Sequence, residues 1–343
     1  MWCVTFDNML RLRRLLGEPI ANDSEEEMGK NENEKVNSNI FTISYYGITS
    51  LLAISIYDAY IFGPAFNVPN LGLLPMVINP QWIGRECLGL ILRLIQDPQR
   101  PARVDKGMFL LIFLAKHVNV TVDCKTLTNP RLPGPLVTLQ KFDLVQGLEM
   151  ISSTAAMCPN ADLRYVAYQL IKCFIDMCDP EAQLFVFLEL LETCPLQAMR
   201  AATVNLLKDR IAAAFDNDNE TSFFKSHVIT DKLFPLIFKK PSSSTLWETY
   251  GVEMQVLNCY LYLLIRDKAL DQTGVWGDKI IDVVKYTYLE PLEKTIKTLE
   301  KEVSGAPNID SEMKQSQTMQ LSLLRNLLDQ VNEQLVRKKD RCR

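Results

Sequence analysis

Downstream of residue 80 the apolar residues recur every three or four positions, the spacing that lines one face of an α-helix, and prolines, glycines and short polar runs divide the pattern into segments. Between Trp82 and Gln96 the stripe is Ile83, Cys87, Leu90, Ile91, Leu94 and Ile95, closed by Asp97-Pro98 and Pro101. The next segment, Lys106 to Val118, is apolar almost all round, which predicts a helix buried between neighbours and paired with the one before it. Asn119 to Leu139 carries Pro130, Pro133 and Pro135 and is too broken for a helix, so a crossover or insertion is expected there. Helical spacing resumes at Lys141 to Met157 and continues through Ala161 to Cys178, Glu181 to Thr193 and Leu196 to Phe215. A short helix near Thr230 to Phe238, bent by Pro235, follows the polar loop Asp216 to Thr221. After a second polar loop, Lys240 to Thr245, come Trp247 to Arg266 (striped by Met254, Leu257, Tyr260, Leu261 and Leu264), Asp278 to Glu302 kinked at Pro291, and Ser311 to Lys339.

Within this series one phrase occurs twice, thirty-six residues apart: Cys158-Pro159-x4-Arg164-x5-Leu170-x-Lys172-x2-Ile175 and Cys194-Pro195-x4-Arg200-x5-Leu206-x-Lys208-x2-Ile211. A fixed offset of this size is the mark of stacked helical units, each completing the apolar face of its neighbour. The predicted fold is therefore all-α, a HEAT/armadillo-like α-solenoid of stacked helical hairpins. Such arrays mostly bind macromolecules along extended surfaces. Asn160 and Asp162 are expected to cap the first of the two helices, and Asp179-Pro180 to break the chain after it. Arg164 and Arg200 hold equal positions, as do Lys172 and Lys208, and equal placement predicts equal structural duty, an arginine tying its helix to carbonyls or acids of the adjacent unit. A ladder of cations on a binding face is the functional alternative. Lys208-Asp209-Arg210 is placed on the solvent side of its helix.

The N-terminal part changes character twice. Residues 1–21 predict a short amphipathic helix stopped by Gly17 and Pro19, and residues 22–39, with six acids, two lysines and scarcely an apolar residue, predict a disordered acidic linker. Residues 40–343 are expected to form the solenoid. Ile40 to Phe66 imitates a membrane span, but Thr42, Ser44, Thr49, Ser50, Ser55 and Asp58 dilute it, and an aspartate in hydrocarbon costs roughly 2.5–3.5 kcal/mol on insertion scales. A buried helix is the preferred reading, and a membrane-anchored helical protein the alternative.

A formal charge of −4 over 343 residues supplies no general nucleic-acid surface. Nine cysteines, an odd number without a CxxC pair, fit small core residues in a reducing compartment, so a cytoplasmic and possibly also nuclear protein is expected. Arg11, Arg13 and Arg14 interrupt the early apolar stretch, unlike a secretory leader. The chain has two histidines, His117 and His227, neither in a metal or nucleophile frame, and no phosphate loop. Cys173 and Cys178 fall on different faces of one helix, which disfavours a disulfide. We therefore predict no enzyme, no catalytic, cofactor or metal site and no small-molecule substrate. The signature residues Cys158, Pro159, Arg164, Cys194, Pro195, Arg200, Lys208 and Asp209 are assigned structural duty. The basic tail, Arg337 to Arg343, is partly explained by the negative end of the helix dipole, with an acidic docking site as the alternative.

From Leu190 to Asp209 the chain, Leu-Leu-Glu-Thr-Cys-Pro-Leu-Gln-Ala-Met-Arg-Ala-Ala-Thr-Val-Asn-Leu-Leu-Lys-Asp, resembles the family of YAP-binding proteins, plant lateral-root-formation factors and glomulin. Asp162-Leu163-Arg164 with Gln169-Leu170-Ile171 resembles the preceding repeat of that family, and the likeness covers about residues 40–300. The resemblance implies a HEAT-like cytoplasmic regulator. Its partner would be a stress-response transcription factor, as for the YAP-binding proteins that support oxidative-stress signalling. A glomulin-like inhibitor that masks the RING subunit of cullin–RING ubiquitin ligases is the alternative. Trp247 to Lys339 is expected to be the docking half.

Overall fold

In the computed structural model the described residues are 88–341, apart from 90, 118–120, 129–142, 218–221, 269 and 306–310. The expected N-terminal helix, acidic linker and apolar segment Ile40 to Phe66 lie outside them. Among the described residues the protein is all-helical, and the sole extended pairing is an isolated parallel bridge between Val122 and Cys178. No helix among them is long and apolar enough to cross a membrane. The chain divides into two compact units, Met1–Val120 with Thr126–Phe174, and Thr121–Lys125 with Ile175–Arg343.

In the first unit a helical turn at 91–94 precedes α1 (Pro101–His117). Pro101, expected to close one helix, instead opens the next. Its missing N–H is no loss in a first turn, and its fixed φ suits one. A Cβ on Gly107 would lie 2.6 Å from Ile95 Cγ2 and 3.3 Å from the Ile91 carbonyl, so α1 crosses the preceding turn at a glycine because nothing larger fits. Asp143 caps α3 (Leu144–Met157) by accepting from the Gln146 N–H at 2.7 Å. Gly147 of α3 rests on Leu92. Between these helices, α2 (Cys124–Thr128) forms where no helix was expected, inside the proline-rich passage and ahead of its first proline. Leu127, fully buried, anchors it. The repeat helix α4 (Ala161–Met177) buries Leu163, Ala167, Leu170, Ile171 and Ile175.

The second unit begins with that bridge: the Val122 N–H donates to the Met177 carbonyl and the Asp179 N–H to the Val122 carbonyl, both at 2.9 Å. Asp179 then caps α5 (Pro180–Glu192), with Pro180 in its first turn. α6 (Gln197–Asp216) buries Met199, Thr203, Leu206, Leu207 and Ile211, each thirty-six residues after a buried position of α4. The repeat in the sequence is thus a repeat of the packed face.

Pro235 and Pro291 each reshape the turn before them. The ring of a helical proline clashes with the carbonyl four residues back, and an extra residue in that turn relieves the clash. Accordingly a wide π-type turn, Ile229–Leu233, precedes the short α7 (Phe234–Ile237), and another, Lys285–Leu289, joins α9 (Asp278–Val284) to α10 (Glu290–Gly305). In each the N–H that closes the turn reaches five residues back, from Phe234 to Ile229 and from Glu290 to Lys285.

α8 (Leu246–Arg266) is the central helix, packed on α6 and on α11 (Ser311–Arg341). Gly251 faces Ala201 near the start of α8 and α6, and Arg266 Nη2 meets Asp216 Oδ1 at 2.9 Å at their ends, so the two run parallel. α10 and α11 form an antiparallel hairpin: Lys314 donates to the Ser304 carbonyl at 3.0 Å and Arg325 pairs with Glu300 at 2.7 Å. Phe234, Phe238, Tyr260 and Tyr288 make an edge-to-face chain with centroids 4.8–6.0 Å apart, each contact worth about 0.5–1.5 kcal/mol beyond its burial. The loop after α8 is fastened from within. Buried Asp267 accepts from the N–H groups of Gln272 and Thr273 and from Thr273 Oγ1, and Thr230 Oγ1 donates to the Thr273 carbonyl at 2.8 Å.

Candidate protein-binding surface

α11 buries Leu321, Leu324, Leu327, Leu328 and Val331, a stripe that accounts for its place in the unit. Beside that stripe, Ser316, Met319, Leu323, Asn326 and Gln330 follow one another at steps of three and four, all exposed and none charged. Met319 is 63% and Leu323 44% accessible. An uncharged, partly apolar strip four turns long on a helix otherwise rich in acids and bases has the composition of an interface centre, where charge is depleted and methionine enriched. Ion pairs border it: Arg325 with Glu300 on one side, and Arg337 with Glu333, 2.6 Å apart, beyond its end.

Beneath the surface a polar bolt ties α8 to the wide turn that precedes α10. Glu253 on α8 is buried, and Tyr288 donates to its Oε2 at 2.5 Å. Burial pushes the Glu253 carboxyl up, opposed by hydrogen bonds from Tyr288 and Thr249 and by the charge of Arg200. Burial, with the neighbouring Glu253, pushes the Tyr288 phenol well above its ordinary range.

The repeated arginines do unequal work. Arg164 Nη1 donates to the Cys158 and Pro159 carbonyls at 2.7 and 3.0 Å, clasping the start of its own helix. Arg200, half-buried, reaches Gln197 Oε1 at 3.5 Å, leaves a buried Nε without a partner, and puts its charge near Glu253. The caps differ as well: Asn160 Oδ1 accepts from the Asp162 and Leu163 N–H groups, whereas its counterpart Leu196 has no side-chain oxygen to offer. Asn160, and not Asp162, is the cap. Cys158 is buried and Cys194 partly exposed, while Pro159 and Pro195 are both exposed. Lys172 and Lys208 are half-exposed and Asp209 is exposed; Arg210 pairs with Asp176.

Burial raises the thiols of Cys124, Cys173, Cys178 and Cys259, the last two to about 12, so they stay protonated at neutral pH. Among the described residues no group of three or more histidine, cysteine or acidic side chains is arranged to hold a metal ion. His117 ends α1, and His227 is exposed beside Gly274. The α11 strip and the Glu253–Tyr288 pair were not anticipated. The strip could have been found as a run of uncharged residues at helical spacing beside the apolar stripe; the pair, thirty-five residues apart, leaves no local signal.

A family described as an uncharacterised protein family, YAP/Alf4/glomulin, matches residues 107–335. The chain belongs to this family. The match takes in both repeat phrases, the Glu253–Tyr288 pair and the α11 strip, so these are features of the YAP/Alf4/glomulin portion of the chain. No individually curated protein matches it.

Proposed function

We propose that this protein is a non-enzymatic adaptor of the cytoplasm, also present in the nucleus, that holds a regulatory protein on the uncharged strip of α11. The observation that carries the reading is the strip itself, exposed along Ser316–Gln330 and backed by a helix fixed on α8 and α10. The shared buried face of α4 and α6 and the parallel course of α6 and α8 support a HEAT-like stack, in which equivalent helices of successive units run alike. The partner is the regulatory segment of a stress-response transcription factor, in line with the YAP-binding proteins that the Leu190–Asp209 segment resembles.

The test compares the full chain with its Met319→Glu/Leu323→Glu variant in titrations against the purified regulatory region of such a factor. Binding by the parent, weakened at least about tenfold by two charges placed in an apolar contact, is the expected result. Equal binding by both chains would move the interface elsewhere. Binding of neither, together with arrest of ubiquitin-chain formation by a neddylated cullin–RING ligase, would give the function to RING masking instead.

A further inference from the structure

The polar loop Lys239-Lys240-Pro241-Ser242-Ser243-Ser244-Thr245 lies between α7 and α8. Pro241 is buried and pins it; Lys239, Lys240 and the four hydroxyl residues are exposed. The Thr245 N–H donates to the Ser242 carbonyl at 3.3 Å, and the Ser242 and Ser244 hydroxyls are 2.9 Å apart, so the turn presents its hydroxyls to solvent bonded mainly to one another.

We propose that Ser242 is a phosphoacceptor for a basophilic serine/threonine protein kinase, one whose acidic substrate groove pairs with cations two and three residues before the acceptor. Lys239 and Lys240 stand at those two positions, and Ser242 is the one described hydroxyl residue with a cation at both. Every other described serine or threonine outside this turn with a lysine or arginine two or three residues before it lies in a helical segment: Thr128, Thr203, Thr287, Ser304 and Ser316. A kinase must reach the hydroxyl with the base that takes its proton, on an extended substrate segment, which a helical residue cannot offer without unwinding. Three of the five are also tied by their hydroxyls to carbonyls of their own helices, Thr203 to Met199, Thr287 to Val283 and Ser304 to Glu300.

In the reaction Ser242 Oγ attacks the γ-phosphorus of ATP, the bond from that phosphorus to the bridging oxygen breaks, ADP leaves and the hydroxyl proton passes to the kinase. The product adds about −1.5 to −2 charge to a loop whose own ionic groups are both positive. Thr245, at the head of α8, makes no side-chain capping bond; its carbonyl takes the Glu248 and Thr249 N–H groups, and a phosphate just before the helix would add negative charge at its N-terminal end. Lys239, though exposed, has its ammonium pushed down by partial desolvation and by Arg200, opposed by Glu192, and Glu248 sits in the first turn of α8, so the phosphate enters a mixed field in which Lys239 gains a counter-charge.

The experiment incubates the folded full chain with Mg-ATP and the catalytic subunit of a cyclic-AMP-dependent protein kinase, and locates phosphate by mass spectrometry of the digested product. One dominant site at Ser242 is expected, lost in Ser242→Ala and formed about tenfold more slowly in Lys239→Ala/Lys240→Ala, the loss of two modest charge contacts. A free peptide of residues 236–248 should react at a comparable rate. Failure of the folded chain to react, whether or not the peptide does, would overturn the proposal, as would dominant phosphate elsewhere or indifference to the lysine pair.

Discussion

Replacing Tyr288 by phenylalanine removes one oxygen from the middle of the second unit and little else. The ring keeps its contact with Phe238, whose centroid is 5.1 Å away. What is lost is the donor 2.5 Å from Glu253 Oε2, in a place where both side chains are buried. A hydrogen bond to a charged group is worth about 1.5–3 kcal/mol, and the orphaned carboxylate still has Thr249 and the charge of Arg200, so we expect a loss of about 2 kcal/mol. For a chain of 343 residues that lowers Tm by about 3 °C, read by calorimetry or by circular dichroism. The loss must also depend on Glu253. In the Glu253→Gln background Tyr288→Phe should cost less by about 1–2 kcal/mol, the coupling of a double-mutant cycle. It must depend on pH as well. Glu253 is already raised by burial, and removing its donor raises it further, so the folded state holds its proton more tightly than the unfolded state. Stability of the variant then falls more steeply than that of the parent as pH rises from the unfolded glutamate value. A Tm within about 1 °C of the parent, or a strictly additive cycle, would refute the bolt.

Asp105, buried on α1 with Oδ1 unpartnered, is raised to about 7 by burial despite the adjacent Lys106. The folded state therefore binds the proton that the unfolded state releases above about pH 4, and stability falls between about pH 4 and 7 by at most about 4 kcal/mol. Asp105→Asn should flatten that slope and raise stability at pH 8, as urea titrations at pH 5 and pH 8 would show. Gly107→Ala places a methyl 2.6 Å from Ile95 Cγ2 and 3.0 Å from Leu94 Cβ, and should cost about 1–3 kcal/mol in the same titration. Gly274→Ala meets His227 Nδ1 at 2.4 Å and a backbone φ of +71°, so His227→Ala in addition should recover part of the loss in Tm but not all of it.

Apart from the short α2, helix existence is legible from periodicity alone from Lys106 onward, and the repeat of Cys158 and Cys194 announces that α4 and α6 bury matching positions. Local proline chemistry misleads at Pro101, because the same ring that stops one helix is welcome in the first turn of the next. At Pro235 and Pro291 the disturbance is foreseeable and its form is not, since an added residue in the preceding turn leaves no mark in composition. The stripe expected on α8, Met254, Leu257, Tyr260, Leu261 and Leu264, is half right. Packing on both α6 and α11 buries Val252, Val256 and Leu263 too, so its buried face is wider than one stripe. Equal positions do not mean equal duty for Arg164 and Arg200: one clasps the carbonyls before its own helix, the other lies beside Gln197 with its charge near Glu253. Glu253 and Tyr288 meet only through tertiary packing, beyond the range of any local pattern.

The pairing of Val122 with the residues flanking Cys178 makes the second unit discontinuous along the chain. A fragment beginning at Ile175 would discard Thr121–Lys125 and leave the Met177 carbonyl and Asp179 N–H to water, and one beginning at Trp247 would strip α6 from α8 and bare an apolar flank. Loss of binding by such a fragment would therefore report on lost packing as much as on a lost contact. Interaction mapping here belongs to single substitutions in the intact polypeptide.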